Sequence, residues 1–118
     1  YRFDRDLTWR TRAQIVPVFC HSSDGFRVTR QAVEAAYQKA RAAGMRVRGL
    51  ILVNPSNPLG TVLGRGTLAS MARFAADRRV HLVCDEIYAA SVFAAPEFVS
   101  IAEVIGEAGG FFDPNLVH

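Results

Sequence analysis

Along this chain the apolar positions switch between two periods, with clusters of turn-forming residues between the blocks. Gln14-Ile15-Val16-Pro17-Val18-Phe19-Cys20 is a β-rich run whose proline places it at a sheet edge or a strand end. His21-Ser22-Ser23-Asp24-Gly25 is a turn cluster. Val33, Ala36, Tyr37 and Ala40 then recur at helical spacing, on a helix that Thr29 caps and Gly44 stops. Lys39 falls off that stripe, beside Gln38 and Arg41, and so reads as a solvated side chain rather than a catalytic amine. Val47 to Val53 predicts a strand buried on both faces and therefore parallel. Leu68, Met71, Ala72 and Ala75 mark a second amphipathic helix, ending near Arg78-Arg79, where positive charge suits a helix C-terminus. Val80 to Cys84 is the next strand, and strand, helix and strand over about 40 residues form a βαβ unit that should cross over right-handed.

The flanks carry weaker patterns. Residues 1–13 are polar and aromatic and read as a loop or the start of a helix. Ala89 to Glu97 is a small-residue loop, Phe98 to Ile105 holds a short helix with Ser100 as its cap, and Gly109-Gly110 breaks the chain. Asn115-Leu116-Val117-His118 reads as the opening of a further strand. The fold class expected is α/β, with a mainly parallel sheet and helices on both faces. A start in mid-pattern without methionine marks the chain as an internal fragment, expected over residues 1–118.

Composition narrows the classes. The 118 residues suffice for one small domain with a core, and 50% hydrophobic with 21% charged residues is ordinary for a globular chain. No apolar run reaches the roughly 20 residues of a membrane helix, and the charged N-terminal stretch resembles no signal peptide. The net charge of +3 comes from scattered arginines, with Lys39 the single lysine, so solvated faces explain it better than a nucleic-acid partner. Cys20 and Cys84 form no C-x-x-C pair and read as buried free thiols. His21, His81 and His118 share no metal-ligand spacing, and no metal site is expected.

Candidate chemistry gathers at Asn54-Pro55-Ser56-Asn57-Pro58-Leu59-Gly60, where a core strand stops at a stiff polar loop. Ligands of open α/β sheets sit beyond the carboxyl ends of the strands. One reading is a dinucleotide site: Gly64-Arg65-Gly66-Thr67-Leu68-Ala69 matches G-x-G-x-x-A, and Asp85 follows about 20 residues later. It fails because ten residues, Asn54 to Leu63, separate the strand from Gly64, whereas the fingerprint needs its first glycine straight off the strand. The other reading uses the loop itself. Asn57 after one strand and Asp85 with Tyr88 after the other bring a carboxamide, a carboxylate and a phenol towards one planar ligand. That set suits pyridoxal phosphate, with a carboxylate on the pyridine nitrogen and donors on the ring oxygen. The plainer alternative has Asp85 capping a turn and Tyr88 packing on the core.

These motifs carry a family resemblance. The Asn54–Gly60 loop together with Cys84-Asp85-Glu86-Ile87-Tyr88 resembles the fold-type I pyridoxal-phosphate enzymes of the class I and II aminotransferase group. Phe3-Asp4-Arg5-Asp6-Leu7-Thr8-Trp9-Arg10-Thr11 and the stretch from Val92 to Val104 are similar to the plant 1-aminocyclopropane-1-carboxylate (ACC) synthases within it. The resemblance implies that Asn57 and Tyr88 hydrogen-bond the ring oxygen of the cofactor and that Asp85 pairs with its pyridine nitrogen. It implies a carbon–sulfur lyase acting on S-adenosylmethionine, releasing methylthioadenosine, in a cytosolic homodimer with no nucleic-acid or membrane partner. An aminotransferase on the same scaffold, or a catalytically dead truncated product, stands as the alternative. The family's Schiff-base lysine follows a segment like Asn115–His118, so the chain is expected to stop short of it. Tyr1-Arg2-Phe3 is one residue shorter than the family pattern, with Tyr1 a candidate ring-stacking aromatic, and Cys84 and Ala90 replace the usual serine and glycine.

Overall fold

The computed structural model describes residues 3–109 and 112–118. The chain forms two compact units, Tyr1–Arg46 and Val47–His118.

In the first unit, helix α1 spans Phe3–Thr11, with Asp4 and Asp6 in its first turn and Arg10 in its last, the charge order that the helix dipole favours. The predicted strand at Gln14–Cys20 is extended but joins no sheet among the described residues. Val16, Val18 and Cys20 are half-buried while their neighbours are exposed, so the period-two pattern is present without a ladder partner. Pro17 also supplies no amide to such a ladder. Ser22–Asp24 is a short 3₁₀ turn closed by Gly25. Helix α2 spans Arg30–Ala42, and the Oγ1 of Thr29 caps it by accepting from the Ala32 amide at 3.1 Å. Val33 and Ala40 are buried, Ala36 and Tyr37 half-buried and Lys39 exposed, as the stripe predicts. The helix ends where the Gly44 amide donates to the Arg41 carbonyl at a φ of 75°, a backbone conformation open to glycine at little cost.

The second unit is the βαβ element. Strand β1, Gly49–Val53, pairs in parallel with β2, His81–Asp85, in the register that sets Val53 beside Asp85. Helix α3, Arg65–Arg78, connects them and buries Leu68, Met71, Ala72, Phe74 and Ala75. With Leu82 fully buried beneath, this is the core, and each large apolar side chain contributes about 1.5–3 kcal/mol. Arg79 takes the left-handed conformation that ends α3, and the Val80 amide reaches back to the Ala75 carbonyl.

Burial of β1 on both faces does not hold in this chain: only Leu52 is buried, and Leu50, Ile51 and Val53 keep partial exposure. The described sheet has two strands, too narrow to be covered on every side. On the far edge of β2, Val117 forms a single parallel bridge to Leu82, and His118 exchanges backbone hydrogen bonds with Leu82 and Cys84. The last strand therefore opens at Val117, because Pro114–Leu116 is a 3₁₀ turn capped by the Asp113 side chain. Helix α4, Ile101–Glu107, starts from the expected Ser100 cap and packs against α3, where Arg65 pairs with Glu103 and Glu107.

Candidate functional site

The carboxyl ends of β1 and β2 give rise to the two loops that make the site. After β1, Asn54 and Pro55 leave the strand, and the loop closes at Gly60, whose φ is 66° and whose amide donates to the Ser56 carbonyl at 2.8 Å. The Ser56 and Thr61 hydroxyls lie 2.6 Å apart and brace the same turn. After β2, Glu86-Ile87-Tyr88 turns into a 3₁₀ segment, Ala89–Ser91. Between the loops lies a cavity of about 430 Å³, within the usual range of small-molecule sites. Pro55, Pro58 and Pro96 give it stiff walls, while Ser56, Asn57, Tyr88 and Ser91 supply its polar groups. No charged side chain among the described residues lines it.

Asn57 and Tyr88 meet at this cavity. The Asn57 Nδ2 donates to the Tyr88 Oη at 3.2 Å, across 31 residues of chain. With its oxygen accepting from Asn57, the phenol keeps its own proton to give, and the carboxamide keeps a second N–H. Together they form a neutral donor pair at an open cavity, matched to an anionic or phenolic ligand oxygen.

Asp85 stands apart from that cavity's lining. It is the last residue of β2 and half-buried, and its Oδ1 accepts from the Ile87 amide at 3.2 Å. Its Oδ2 takes no protein hydrogen bond among the described residues. The turn-capping role and a carboxylate oxygen without a protein hydrogen bond thus coexist on one side chain. Tyr88 is 41% exposed, so the alternative that packs it on the core does not describe it. Tyr1 lies outside the described residues.

Two residues that the sequence reading passed over hold the loops in place. Asn54 is fully buried: its Oδ1 accepts from the Leu63 amide at 2.8 Å and its Nδ2 donates to the Val99 carbonyl at 3.3 Å. Glu86 spans to the start of α4, its Oε2 accepting from the Ser100 hydroxyl at 2.7 Å and its Oε1 from the Ile101 amide at 2.8 Å. The signal for both was the strand period, which puts Asn54 on the face of Leu52 and Glu86 on the face of Leu82.

The thiols are both free. Both are half-buried rather than buried as expected, Cys84 because the narrow sheet leaves its strands partly uncovered. Burial, with the Glu86 charge adding to it, pushes the Cys84 thiol up to about 12, which disfavours the nucleophilic thiolate. No cluster of three metal-ligating side chains exists among the described residues. No helix among them is long and apolar enough to cross a membrane. The glycines of the G-x-G-x-x-A match lie at the start of α3, Gly64 as its cap and Gly66 in its first turn, with ten residues between β1 and Gly64.

Comparison with known proteins identifies the family. The chain is 54% identical over 117 residues to a 1-aminocyclopropane-1-carboxylate synthase of Vigna radiata var. radiata, covering 98% of this chain and 32% of that protein. It is 55% identical over 116 residues to 1-aminocyclopropane-1-carboxylate synthase 1 of Prunus mume, covering 98% of this chain and 23% of that protein. The chain thus spans between about a quarter and a third of the length of these relatives. Among solved structures, aspartate aminotransferase from Thermus thermophilus with maleate superposes with a TM-score of 0.64 at 28% identity, over 77% of this chain and 22% of that one. The family profile described as aminotransferase class I and II matches residues 1–111. A parallel βαβ unit, polar loops at its carboxyl edge and a profile match over nearly the whole length agree: the chain belongs to the class I and II aminotransferase family.

Proposed function

We propose that the protein carrying this chain is a 1-aminocyclopropane-1-carboxylate synthase, a pyridoxal-phosphate-dependent lyase that converts S-adenosylmethionine to the cyclic amino acid and methylthioadenosine. The observation that carries this reading is identity above one half with synthases across 98% of the chain, twice the level seen with the aspartate aminotransferase. The assay measures ring product against keto-acid product, from S-adenosylmethionine and from amino acids, using the complete protein. Keto acid without ring product supports the second reading, an aminotransferase, which the structural likeness to the Thermus enzyme favours.

The donor set fits the cofactor. Asn57 and Tyr88, already hydrogen-bonded to each other, would both donate hydrogen bonds to its ring oxygen. Asp85, with Oδ2 unused at the end of β2, would pair with the pyridine nitrogen and hold its proton in place. When bound, pyridoxal phosphate supplies an electron-withdrawing ring, and the protein's part is to orient it and keep it protonated. Asp85→Asn should abolish turnover with the fold intact, and near-normal activity in that variant refutes the role. A homodimeric, cytosolic protein belongs to the same proposal. In support of a partner surface, Leu59, Ile87 and Phe93 on the two loops are 70%, 75% and 91% exposed.

A further inference from the structure

The two loops are joined by a closed circuit of hydrogen bonds. The Asn54 amide donates to the Asp85 carbonyl at 2.9 Å, and the Asn54 side chain donates to the Val99 carbonyl. Val99 leads through Ser100 to Ile101, whose amide donates to Glu86, and Glu86 follows Asp85 in the chain. Asn57 lies three residues from one corner of this circuit and Tyr88 two residues from another.

We propose that Glu86 is the positioning residue of this site: by gripping Ser100 and Ile101 it locks the loop after β2 to the loop after β1, and so sets the Asn57–Tyr88 donor pair. The proposal rests on the cofactor reading for its purpose, though not for its geometry. A capping role for α4 alone does not account for Glu86. The Ser100 Oγ already caps that helix by accepting from the Ala102 amide at 3.1 Å. Glu86 reaches across 14 and 15 residues to take the Ser100 hydroxyl proton and the Ile101 amide proton with separate oxygens. Two short bonds from one half-buried carboxylate fix both the height and the rotation of the turn that carries Tyr88. Glutamine keeps an acceptor for the Ile101 amide, and its NH₂ can give to the Ser100 hydroxyl as that group turns round. Alanine removes both contacts.

The test uses the complete protein that carries this chain and two readouts. The first is the side-chain amide resonance of Asn57, which should move on Tyr88→Phe because the two groups are bonded. The second is binding of pyridoxamine phosphate, which cannot react with Lys39, followed by fluorescence. In Glu86→Ala the Asn57 response to Tyr88→Phe should vanish and binding should weaken about tenfold, the size of one hydrogen bond to a charged group. Glu86→Gln should keep the response and bind within about threefold of the parent chain. Arg65→Ala, which cuts the other tether of α4, should leave both readouts unchanged. If Glu86→Ala does not fold, Glu86→Asp takes its place, since its shorter side chain cannot reach both partners. An Asn57 response that survives Glu86→Ala or Glu86→Asp overturns the proposal, as does one lost equally in Arg65→Ala. A complete protein that shows the Glu86-dependent response but binds no pyridoxamine phosphate leaves Glu86 in its role and sinks the cofactor reading instead.

Discussion

Asn54→Ala is the sharpest probe of how the site is held. Asn54 is completely buried and serves two partners, the Leu63 amide at 2.8 Å and the Val99 carbonyl at 3.3 Å. Alanine leaves both without a partner, and an unmet buried polar group costs about 1–3 kcal/mol. Leu63 and Val99 are themselves half-buried, so water reaches them in part and the lower half of that range applies to each. The sum is about 2–4 kcal/mol, a large share of the 5–15 kcal/mol that holds a typical domain. Asn54→Asp separates the two bonds. Its carboxylate still accepts from Leu63 but sets an anion against the Val99 carbonyl in a buried place, so its folded-state pKa rises above the ordinary value. A raised pKa means stability that is present at low pH and lost as pH rises through the folded value, so this variant should gain stability on acidification from neutral pH. Amide exchange at Leu63 and along β1 and β2 is the assay of choice. The one tryptophan, Trp9, belongs to the other unit. An Asn54→Ala chain within about 0.5 kcal/mol of the parent, or a Leu63 amide that exchanges freely in the parent, would refute the clamp.

Further expectations concern the packing around the site. Phe74→Ala should cost about 3–5 kcal/mol and Leu82→Ala about 2–5 kcal/mol in urea unfolding, because both side chains are fully buried. Thr29→Ala should cost about 1 kcal/mol and Thr29→Ser almost nothing, since only the cap to Ala32 is at stake, and far-UV circular dichroism of thermal unfolding reads it. In native thiol labelling Cys84 should stay unmodified until denaturant is added. Its thiol ionises near 9.0 when unfolded and about 12 when folded, so stability is fully present below 9.0 and erodes as pH rises through that window. Cys84→Ala should flatten that alkaline slope. The Arg65 pairs with Glu103 and Glu107 are exposed, so Arg65→Met should lower the melting temperature slightly, by a margin that added salt removes.

The periodic parts of the chain were readable because local chemistry and tertiary demand agree there. Thr29, Gly44 and the Val33–Ala40 stripe announce α2, and Leu68 to Ala75 announce the helix that the sheet then buries. Gln14–Cys20 shows where such reading stops. Its period-two pattern is real, but a strand exists only where another chain segment offers the matching ladder, and none does among the described residues. The candidate site divides along the same line. Asn57 and Tyr88 could be proposed from their places after two parallel strands, and the fold does set them 3.2 Å apart. The partners of Glu86 could not, because Ser100 and Ile101 lie in a helix start that no spacing rule connects to the β2 turn. A polar residue at a strand's inward-facing end is the transferable sign. Placed by the strand period over a buried neighbour, it must find hydrogen bonds inside the protein, and those bonds reach across to whatever chain passes nearby. Asn54 over Leu52 and Glu86 over Leu82 both do so, and the same stretch, Val99 to Ile101, answers both. The separation of two loops that face one cavity is thereby set by a third segment that does not line it.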